Sequence, residues 1–398
     1  MPENKYLARA PLLDPQQQVK GYKLAWQKAA ADDVASEADT AQLLQLVAER
    51  VAAAELGLLF LDARLSALSS GALNALPPKT TVLMLPQEDV GDAEALPLAV
   101  SLREQGFGLA LCGADPACMS AEEAPLSFLT HFEVSLAQPG LPELISQAKY
   151  AKPPFSLLVQ GIPDWQAFDA CAALGLNGFF GNLCLVPRKP GQVKAMSPQT
   201  VLLLQLMQMV QENVDIRHLE KVLKRDPALS YKLFRYINSA SFGIEVEIQS
   251  LRHAVAMLGY KPLFRWLSVL LALTSTEGFS PALLQAAIVR GRFAELLGQG
   301  LLSKGEAENL FVVGMFSLLD QLLGVPIQEV FKQILLPDAI AQALLTRGGV
   351  YGPFLSLAEA CEQPHDGASK FADALFMTST RVNQAHLSAL AWAQNLKL

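Results

Sequence analysis

The sequence predicts an α/β barrel of the (β/α)8 type followed by an all-helical domain. In residues 1–190, short apolar runs alternate with helical patterns, and successive runs lie about 22 to 27 residues apart. Beyond residue 197 only helical periodicity recurs. Between the two patterns, the segment VPRKPGQVKAMSP at 186–198 is interrupted by proline and glycine. We therefore expect two domains, at residues 1–192 and 193–398.

Eight apolar runs are the predicted strands of the barrel. They are LARAPLLD and VKGYKLAW near the N-terminus, GLLFLD (57–62), TVLMLP (81–86), FGLALCG (107–113), FEVSLA (132–137), SLLVQGI (156–162) and GFFGNLCLV (178–186). Eight strands separated by helices indicate a TIM-like barrel. A doubly wound open sheet is the alternative. No G-x-G-x-x-G or G-x-x-x-x-G-K-[ST] loop follows any strand, which weighs against the nucleotide-binding open sheets.

The helices of the second half are predicted from their ends. Ser197-Pro198, Asp226-Pro227 and Ser280-Pro281 each place an oxygen-bearing residue before a proline, as at the first turn of a helix. Gly243 and Gly259 follow apolar periods, where a residue that adopts positive φ can end a helix. Between 228 and 240 the apolar residues recur at helical spacing, so this helix needs a partner. They are Leu229, Leu233, Tyr236 and Ile237.

Composition excludes several classes of protein. The chain has 398 residues, of which 51% are hydrophobic and 17% are charged, so large cores are expected and overall disorder is not. No apolar run approaches the ~18 to 20 residues that span a bilayer, and no signal peptide is recognised, so we expect a cytoplasmic protein. The five cysteines are scattered without a C-x-x-C pair, which indicates reduced thiols.

Three segments of the second half resemble a known signalling domain. RDPALSYKL, NSASFG and SLRHAVAMLGYKPL, in this order, resemble the HDOD domain, a relative of metal phosphohydrolases that lacks their His and Asp ligands. The first half resembles the EAL domain, the barrel of cyclic di-GMP phosphodiesterases. The similar segments are LARAPLLDPQQQVKGYKLAWQ, SLREQGFGLALCGAD and LGLNGFFGNLCLVP. The last third is similar to the end of EAL-HDOD fusion proteins, so the resemblance extends over nearly the whole chain.

The EAL resemblance implies where catalytic ligands would lie. Active members hold divalent metals with carboxylates and an Asn, place a Lys near the activated water, and bind the dinucleotide phosphate with an Arg. In this sequence those positions are occupied by Lys23 (the signature Glu), Gln27 (Arg), Asp62 (Asn), Met84 (Glu), Cys112 and Gly113 (the Asp pair), about Glu133 and Ser135 (Lys and Asp), and Phe180 before Gly181 (Gln). A lone carboxylate such as Asp62 cannot hold two divalent cations. The resemblance therefore implies a lost active site, with Lys23 able to pair with Asp62.

The HDOD half offers no replacement site. Its metal-binding relatives carry an H…HD…D pattern, and the only His-Asp dipeptide here is His365-Asp366, in the loop-like segment CEQPHDGASK. His218, His253 and His386 are isolated from carboxylates at ligand spacing. No G-x-S-x-G turn indicates a hydrolase triad. We therefore assign no catalytic, cofactor-binding or metal-binding residue, expect no cofactor, and predict that the protein is not an enzyme.

Partners are predicted from charge and by elimination. Residues 1–190 carry 13 Lys and Arg against 21 Asp and Glu, a net of −8, and the remaining 18 against 17 give +1. Residues 217–265 carry nine basic and four acidic residues, but solvated helix faces explain these charges and the acidic half opposes a phosphate backbone. We expect a regulatory protein that acts through protein contacts, with other signalling proteins or a second copy as partners and with no membrane. A residual cyclic di-GMP hydrolase or receptor, and a nucleic-acid-binding regulator, are the alternatives.

Overall fold

A computed structural model gives the fold as two compact units. Residues 1–186 with 361–369 form the first unit, and residues 187–360 with 370–398 form the second. The expected boundary between 192 and 193 lies outside the described residues. The structure describes residues 5–28, 35–51, 57–68, 71–90, 96–113, 128–136, 155–186, 188, 196–238, 248–274, 280–334 and 336–396.

The first unit contains a closed barrel of eight strands in sequential order. They are β1 (Leu7–Leu13), β2 (Val19–Trp26), β3 (Leu58–Asp62), β4 (Thr81–Pro86), β5 (Gly108–Cys112), β6 (His131–Ser135), β7 (Ser156–Gln160) and β8 (Gly178–Phe180). Strand β1 is antiparallel to both β2 and β8, and the other neighbours are parallel. The prediction of a TIM-like barrel followed by an all-helical domain is confirmed. Closure of the sheet excludes the doubly wound alternative.

The parallel direction of β2 to β8 brings their C-terminal ends to one rim, the mouth of the barrel. The interior below this rim is apolar. It is filled by Leu12, Phe60, Val82, Met84, Ala110, Leu158 and Phe180. Phe60 lies edge-on to Phe180, with ring centroids 5.0 Å apart. The last strand is shorter than the predicted run 178–186, because the chain forms a 3-10 turn over Leu183–Leu185.

Helices described in the first unit lie between the strands. They are α1 (Glu37–Val51), α2 (Gln87–Val90), α3 (Leu96–Glu104) and α4 (Trp165–Ala173). Helix α4 begins after Asp164, whose carboxylate accepts a hydrogen bond from the Ala167 N–H at 2.8 Å. Trp165 and Phe168 on this helix are buried, so the helix covers the outside of the barrel with an apolar face.

The second unit is helical throughout its described residues. Its helices are α5 (Pro198–Gln211), α6 (Ile216–Leu223), α7 (Pro227–Ile237), α8 (Leu251–Leu258), α9 (Tyr260–Thr274), α10 (Pro281–Gly298), α11 (Lys304–Phe316), α12 (Leu319–Leu323), α13 (Ile327–Phe331), α14 (Asp338–Thr346), α15 (Gly352–Ala360), α16 (Ala368–Ala374, which begins in the first unit) and α17 (Ser379–Gln394). None of the described helices is long and apolar enough to cross a membrane.

The predicted helix ends are observed with one difference. Ser197 Oγ accepts from the Thr200 N–H at 3.1 Å, and Asp226 Oδ1 accepts from the Leu229 N–H at 2.9 Å. Ser280 precedes α10 but its side chain makes no capping hydrogen bond. Gly259 ends α8 at φ 86°, as expected, whereas Gly243 lies outside the described residues.

The core of the second unit depends on a close crossing of α10 and α11. A Cβ at Gly314 would lie 2.6 Å from the Cα of Gly291, so the two backbones touch where neither has a side chain. The predicted stripe on α7 is buried at Leu229, Leu233 and Ile237, each 1% exposed or less. The side chain of Tyr236, the fourth member of that stripe, lies outside the described part.

Candidate functional site at the barrel mouth

A lysine reaches across the barrel mouth between two carboxylates. Lys23 Nζ lies 2.9 Å from Glu133 Oε1 and 3.8 Å from Asp62 Oδ1. Lys23 lies on β2 opposite Phe60 of β3, and Glu133 lies in the middle of β6, so the pair joins strands from opposite sides of the barrel. Cys112, the last residue of β5, lies close enough to Glu133 for this carboxylate to act on its thiol. We call Lys23, Asp62, Cys112 and Glu133 the Lys23 cluster.

Burial and ion pairing set the charge states of Lys23 and Cys112 in the Lys23 cluster. Burial opposes the positive charge of Lys23, but the carboxylates of Glu133 and Asp62 outweigh it and raise the pKa of the ammonium above its ordinary value. Burial, with the Glu133 carboxylate, raises the pKa of the Cys112 thiol well above its ordinary value. Lys23 is therefore a fixed cation and Cys112 a neutral thiol at physiological pH.

The floor of the site is apolar. Lys23 Nζ lies 5.7 Å from the centre of the Phe180 ring, and Met84 lies in the buried interior beside Cys112. Met84 pairs with Asp62 in the β3–β4 register, so a thioether occupies the strand-end position next to this carboxylate. An apolar floor strengthens the attraction between the charges above it, because few solvent dipoles screen them.

The residues at this position do not fit a pair of divalent cations. Such cations need several hard oxygen ligands that converge, whereas the two carboxylates here converge on an ammonium. The remaining positions contribute a thioether at Met84 and a protonated thiol at Cys112. Across the described residues, no group of three or more His, Cys, Asp or Glu is arranged to hold a metal ion.

Other residues singled out from the sequence lie apart from the Lys23 cluster. The Gln27 side chain donates from Nε2 to the Gln363 carbonyl at 3.0 Å and accepts at Oε1 from the Ala368 N–H at 3.3 Å. His365 lies in a loop, as predicted, and forms an isolated β-bridge with Lys28. In the second unit, His386 is fully buried and stacks on Phe293 with ring centroids 4.6 Å apart.

Two features of the first unit escaped the sequence prediction. Lys23 was expected to pair with Asp62, but its shorter contact is to Glu133, 110 residues away. Arg9 Nη2 donates to Glu362 Oε1 at 2.8 Å, and both side chains are buried although they are 353 residues apart in sequence. The signal for this second pair in the sequence was an arginine within the first apolar run, LARAPLLD.

Comparison with known proteins finds a family match in the second half of the chain. The family model described as HDOD domain matches residues 196–335. Among solved structures, the EAL domain of Mycobacterium smegmatis DcpA is 14% identical with a TM-score of 0.36, over 44% of this chain and 90% of that chain. The HDOD match therefore applies to residues 196–335 of the helical second half. The likeness of this chain to the EAL structure is too weak to carry an inference about the barrel.

Two curated proteins are similar to this chain. One, named Cyclic di-GMP phosphodiesterase CdgJ, from Vibrio cholerae, is 32% identical over 212 residues, covering 52% of this chain and 49% of the relative. The other, named Uncharacterized protein YuxH, from Bacillus subtilis, is 28% identical over 195 residues, covering 48% and 47%. The chain thus spans about half the length of the curated relatives it matches.

The prediction that this protein is not an enzyme is wrong in light of the first of these relatives. A protein 32% identical over 212 residues carries the name of a phosphodiesterase. The prediction depended on missing ligands at the positions that the EAL resemblance assigned. Ligand positions carried over from a resemblance do not show what other residues of a barrel can do, so their loss was too narrow a basis for excluding catalysis.

Proposed function

We propose that this EAL-HDOD protein acts in cyclic di-GMP signalling in the cytoplasm, with an ammonium in place of divalent cations at the Lys23 cluster and with protein contacts made by the HDOD domain. The observation that carries this proposal is the position of Lys23 Nζ between Glu133 and Asp62. A permanent internal cation offsets part of the negative charge of the two carboxylates, which would otherwise attract a metal.

Protein contact by the second unit, which contains the HDOD match, is supported by exposed apolar side chains of that unit. Tyr231 is 68% exposed, Met257 is 56% exposed and Phe376 is 96% exposed. Phe376 also has a φ of 53°, a backbone conformation that bulky residues seldom adopt. Large exposed apolar side chains are typical of protein interfaces. The proposed partner is a protein, and no nucleic acid is expected.

A metal titration tests the cation replacement. K23E places a third carboxylate beside Glu133 and Asp62, and we expect this variant to bind Mn²⁺ by calorimetry while the wild type does not. K20E is the matched control, because Lys20 lies on the same strand but its side chain is 54% exposed and pairs with Asp14 at 3.0 Å. Mn²⁺ binding by the wild type that E133Q abolishes would refute the proposal.

Capture of partners from native cells tests the protein contact. The full chain and its F376S variant serve as paired baits, since a side chain that is almost fully exposed can be replaced without loss of the core. We expect a partner that wild type retains and F376S loses. Retention of the same proteins by both baits would show that Phe376 makes no such contact.

Hydrolysis of cyclic di-GMP is the second candidate function. It is favoured by the name of the Vibrio cholerae relative. Chromatography of cyclic di-GMP incubated with the protein, with Mn²⁺ or with a chelator, measures it directly. Turnover that requires Mn²⁺ and is lost in E133Q would replace the cation proposal with a metal-dependent site. Turnover that persists in the chelator would keep the Lys23 cluster as described and add catalysis to it.

A further inference from the structure

A distant segment of the chain packs against the barrel. Residues 361–369 belong to the first unit, although residues 187–360 and 370–398 on either side of them in sequence belong to the second. Cys361, Glu362 and Ala368 are buried, whereas residues 363–366 between them are exposed. The segment is therefore anchored at its ends and open to solvent in the middle.

One anchor is a buried ion pair. Glu362 accepts from Arg9 on β1 at 2.8 Å, and the side chains are only 2% and 4% exposed. The backbone carbonyl of Glu362 also accepts a hydrogen bond from the Asn182 side chain. Removing one member of such a pair leaves the other charge buried without its counter-ion, so the segment depends strongly on this contact.

Backbone hydrogen bonds hold the rest of the segment. The Lys28 N–H donates to the Pro364 carbonyl at 2.9 Å, and the Asp366 N–H donates to the Lys28 carbonyl at 2.9 Å. Gln27 adds a side-chain hydrogen bond at 3.0 Å to the Gln363 carbonyl. These backbone and glutamine contacts are polar and lie at the surface, which is the kind of contact that opens at low cost. The cost of releasing the segment therefore lies mainly in the buried Arg9–Glu362 pair.

The segment contacts residues that follow the strands of the candidate site. Gln27 and Lys28 directly follow β2, and Asn182 follows β8 by two residues. These strands carry Lys23 and Phe180 of the candidate site. The segment therefore lies along the rim of the mouth, on the side where Lys23 enters the cluster.

We propose that residues 361–369 form a strap that closes this side of the barrel mouth and leaves the rim when the site is accessible. This inference goes beyond the proposed function, and it holds whichever ligand the barrel takes. The strap is joined at both ends to residues of the second unit. A conformational change in those residues can therefore act on the strap directly through the backbone.

Three native cysteines allow the strap to be tested in the full chain. Cys361 is buried on the strap, and its burial raises the pKa of its thiol to about 12, so it reacts slowly while the strap is closed. Cys112 is half-buried at the mouth, and Cys171 is buried on α4, which covers the outside of the barrel. Labelling with a maleimide, followed by peptide mass spectrometry, reports the strap, the mouth and the body of the barrel separately.

Two variants release the strap in different ways. E362Q removes the charge paired with Arg9, and we expect at least about a tenfold rise in the labelling rate of Cys361. Q27A removes only surface hydrogen bonds, and we expect a smaller rise of about threefold. E329Q is the matched control, because Glu329 forms an exposed pair with Lys332 in the second unit. It should leave all labelling rates unchanged.

Each labelling pattern decides the proposal. A rise at Cys361 and Cys112 with no change at Cys171 supports a strap that closes the mouth. An unchanged rate at Cys361, a rise at Cys361 without one at Cys112, or a parallel rise at Cys171 from general unfolding overturns it. Calorimetry with cyclic di-GMP separates this proposal from the function above. If E362Q opens the strap but neither protein binds cyclic di-GMP, the strap stands and cyclic di-GMP is removed from the proposed function.

Discussion

Replacing Lys23 with methionine should destabilise the barrel by leaving a carboxylate buried without its partner. Glu133 is 2% exposed and accepts a 2.9 Å hydrogen bond from Lys23. Breaking a fully buried ion pair costs about 3–5 kcal/mol. The side chains of Lys23 and Asp62 are each 19% exposed, so water compensates in part. We therefore expect K23M to lose about 2–3 kcal/mol of unfolding free energy.

Urea denaturation measures this loss. With a slope of about 2–3 kcal/mol per molar urea, the barrel transition of K23M should move down by about 1 M. K23M/E133M removes both charges and should regain most of the loss, because an apolar pair can replace a buried ion pair. K20M is the control, since Lys20 is largely exposed and its pair with Asp14 should contribute less than about 1 kcal/mol.

The argument fails if K23M unfolds at the same urea concentration as the wild type. It also fails if K23M/E133M is less stable than K23M, since the cost would then come from lost packing and not from the unpaired Glu133.

Three further predictions concern packing, pH and helix caps. G314A should lower the free energy of unfolding by about 1–3 kcal/mol in urea denaturation, because its Cβ would lie 2.6 Å from the backbone of the neighbouring helix. G305A is the control and should be neutral, because a Cβ at this position of the same helix would meet only the end of a lysine side chain. Equal effects of the two substitutions would contradict the close crossing. Burial, with a nearby arginine, lowers the pKa of His131 from 6.5 to about 4. As the pH falls, His131 therefore binds its proton in the unfolded chain before it does so in the folded chain. The free energy of unfolding keeps its full His131 contribution above pH 6.5 and falls by about 2–3 kcal/mol down to pH 4. H131Q should lack this part of the pH dependence in parallel urea titrations, and an unchanged profile would refute the assignment. D226A should cost about 1 kcal/mol in the same assay, whereas S280A should cost almost nothing because the Ser280 side chain makes no capping hydrogen bond; the reverse order would contradict the observed caps.

The barrel could be predicted because each of its strands has a recognisable apolar pattern within its own short segment of sequence. A parallel strand is buried on both sides, so it appears as a continuous apolar run such as TVLMLP, which is observed over the predicted residues 81–86. The sequence marks the ends of the strands less clearly than their existence. The run 178–186 continues past β8 with residues that are just as apolar, but the backbone turns at Gly181, where φ is 137°.

The site could be predicted only in part. The EAL resemblance singled out Lys23, Asp62, Cys112 and about Glu133 as the positions of lost ligands, and of their mutual contacts it suggested only that Lys23 could pair with Asp62. The pairing of Lys23 with Glu133 depends on how far the lysine side chain reaches across the barrel, and no local sequence pattern indicates this distance. The Arg9–Glu362 pair was missed because its members are separated by 353 residues, nearly the whole chain.

The most direct test of the central claim is anomalous X-ray diffraction from crystals of the full chain grown with Mn²⁺. We expect no Mn²⁺ between Asp62 and Glu133, and density for the Lys23 ammonium within hydrogen-bonding distance of Glu133. An Mn²⁺ peak coordinated by both carboxylates, with Lys23 turned away from them, would contradict the account.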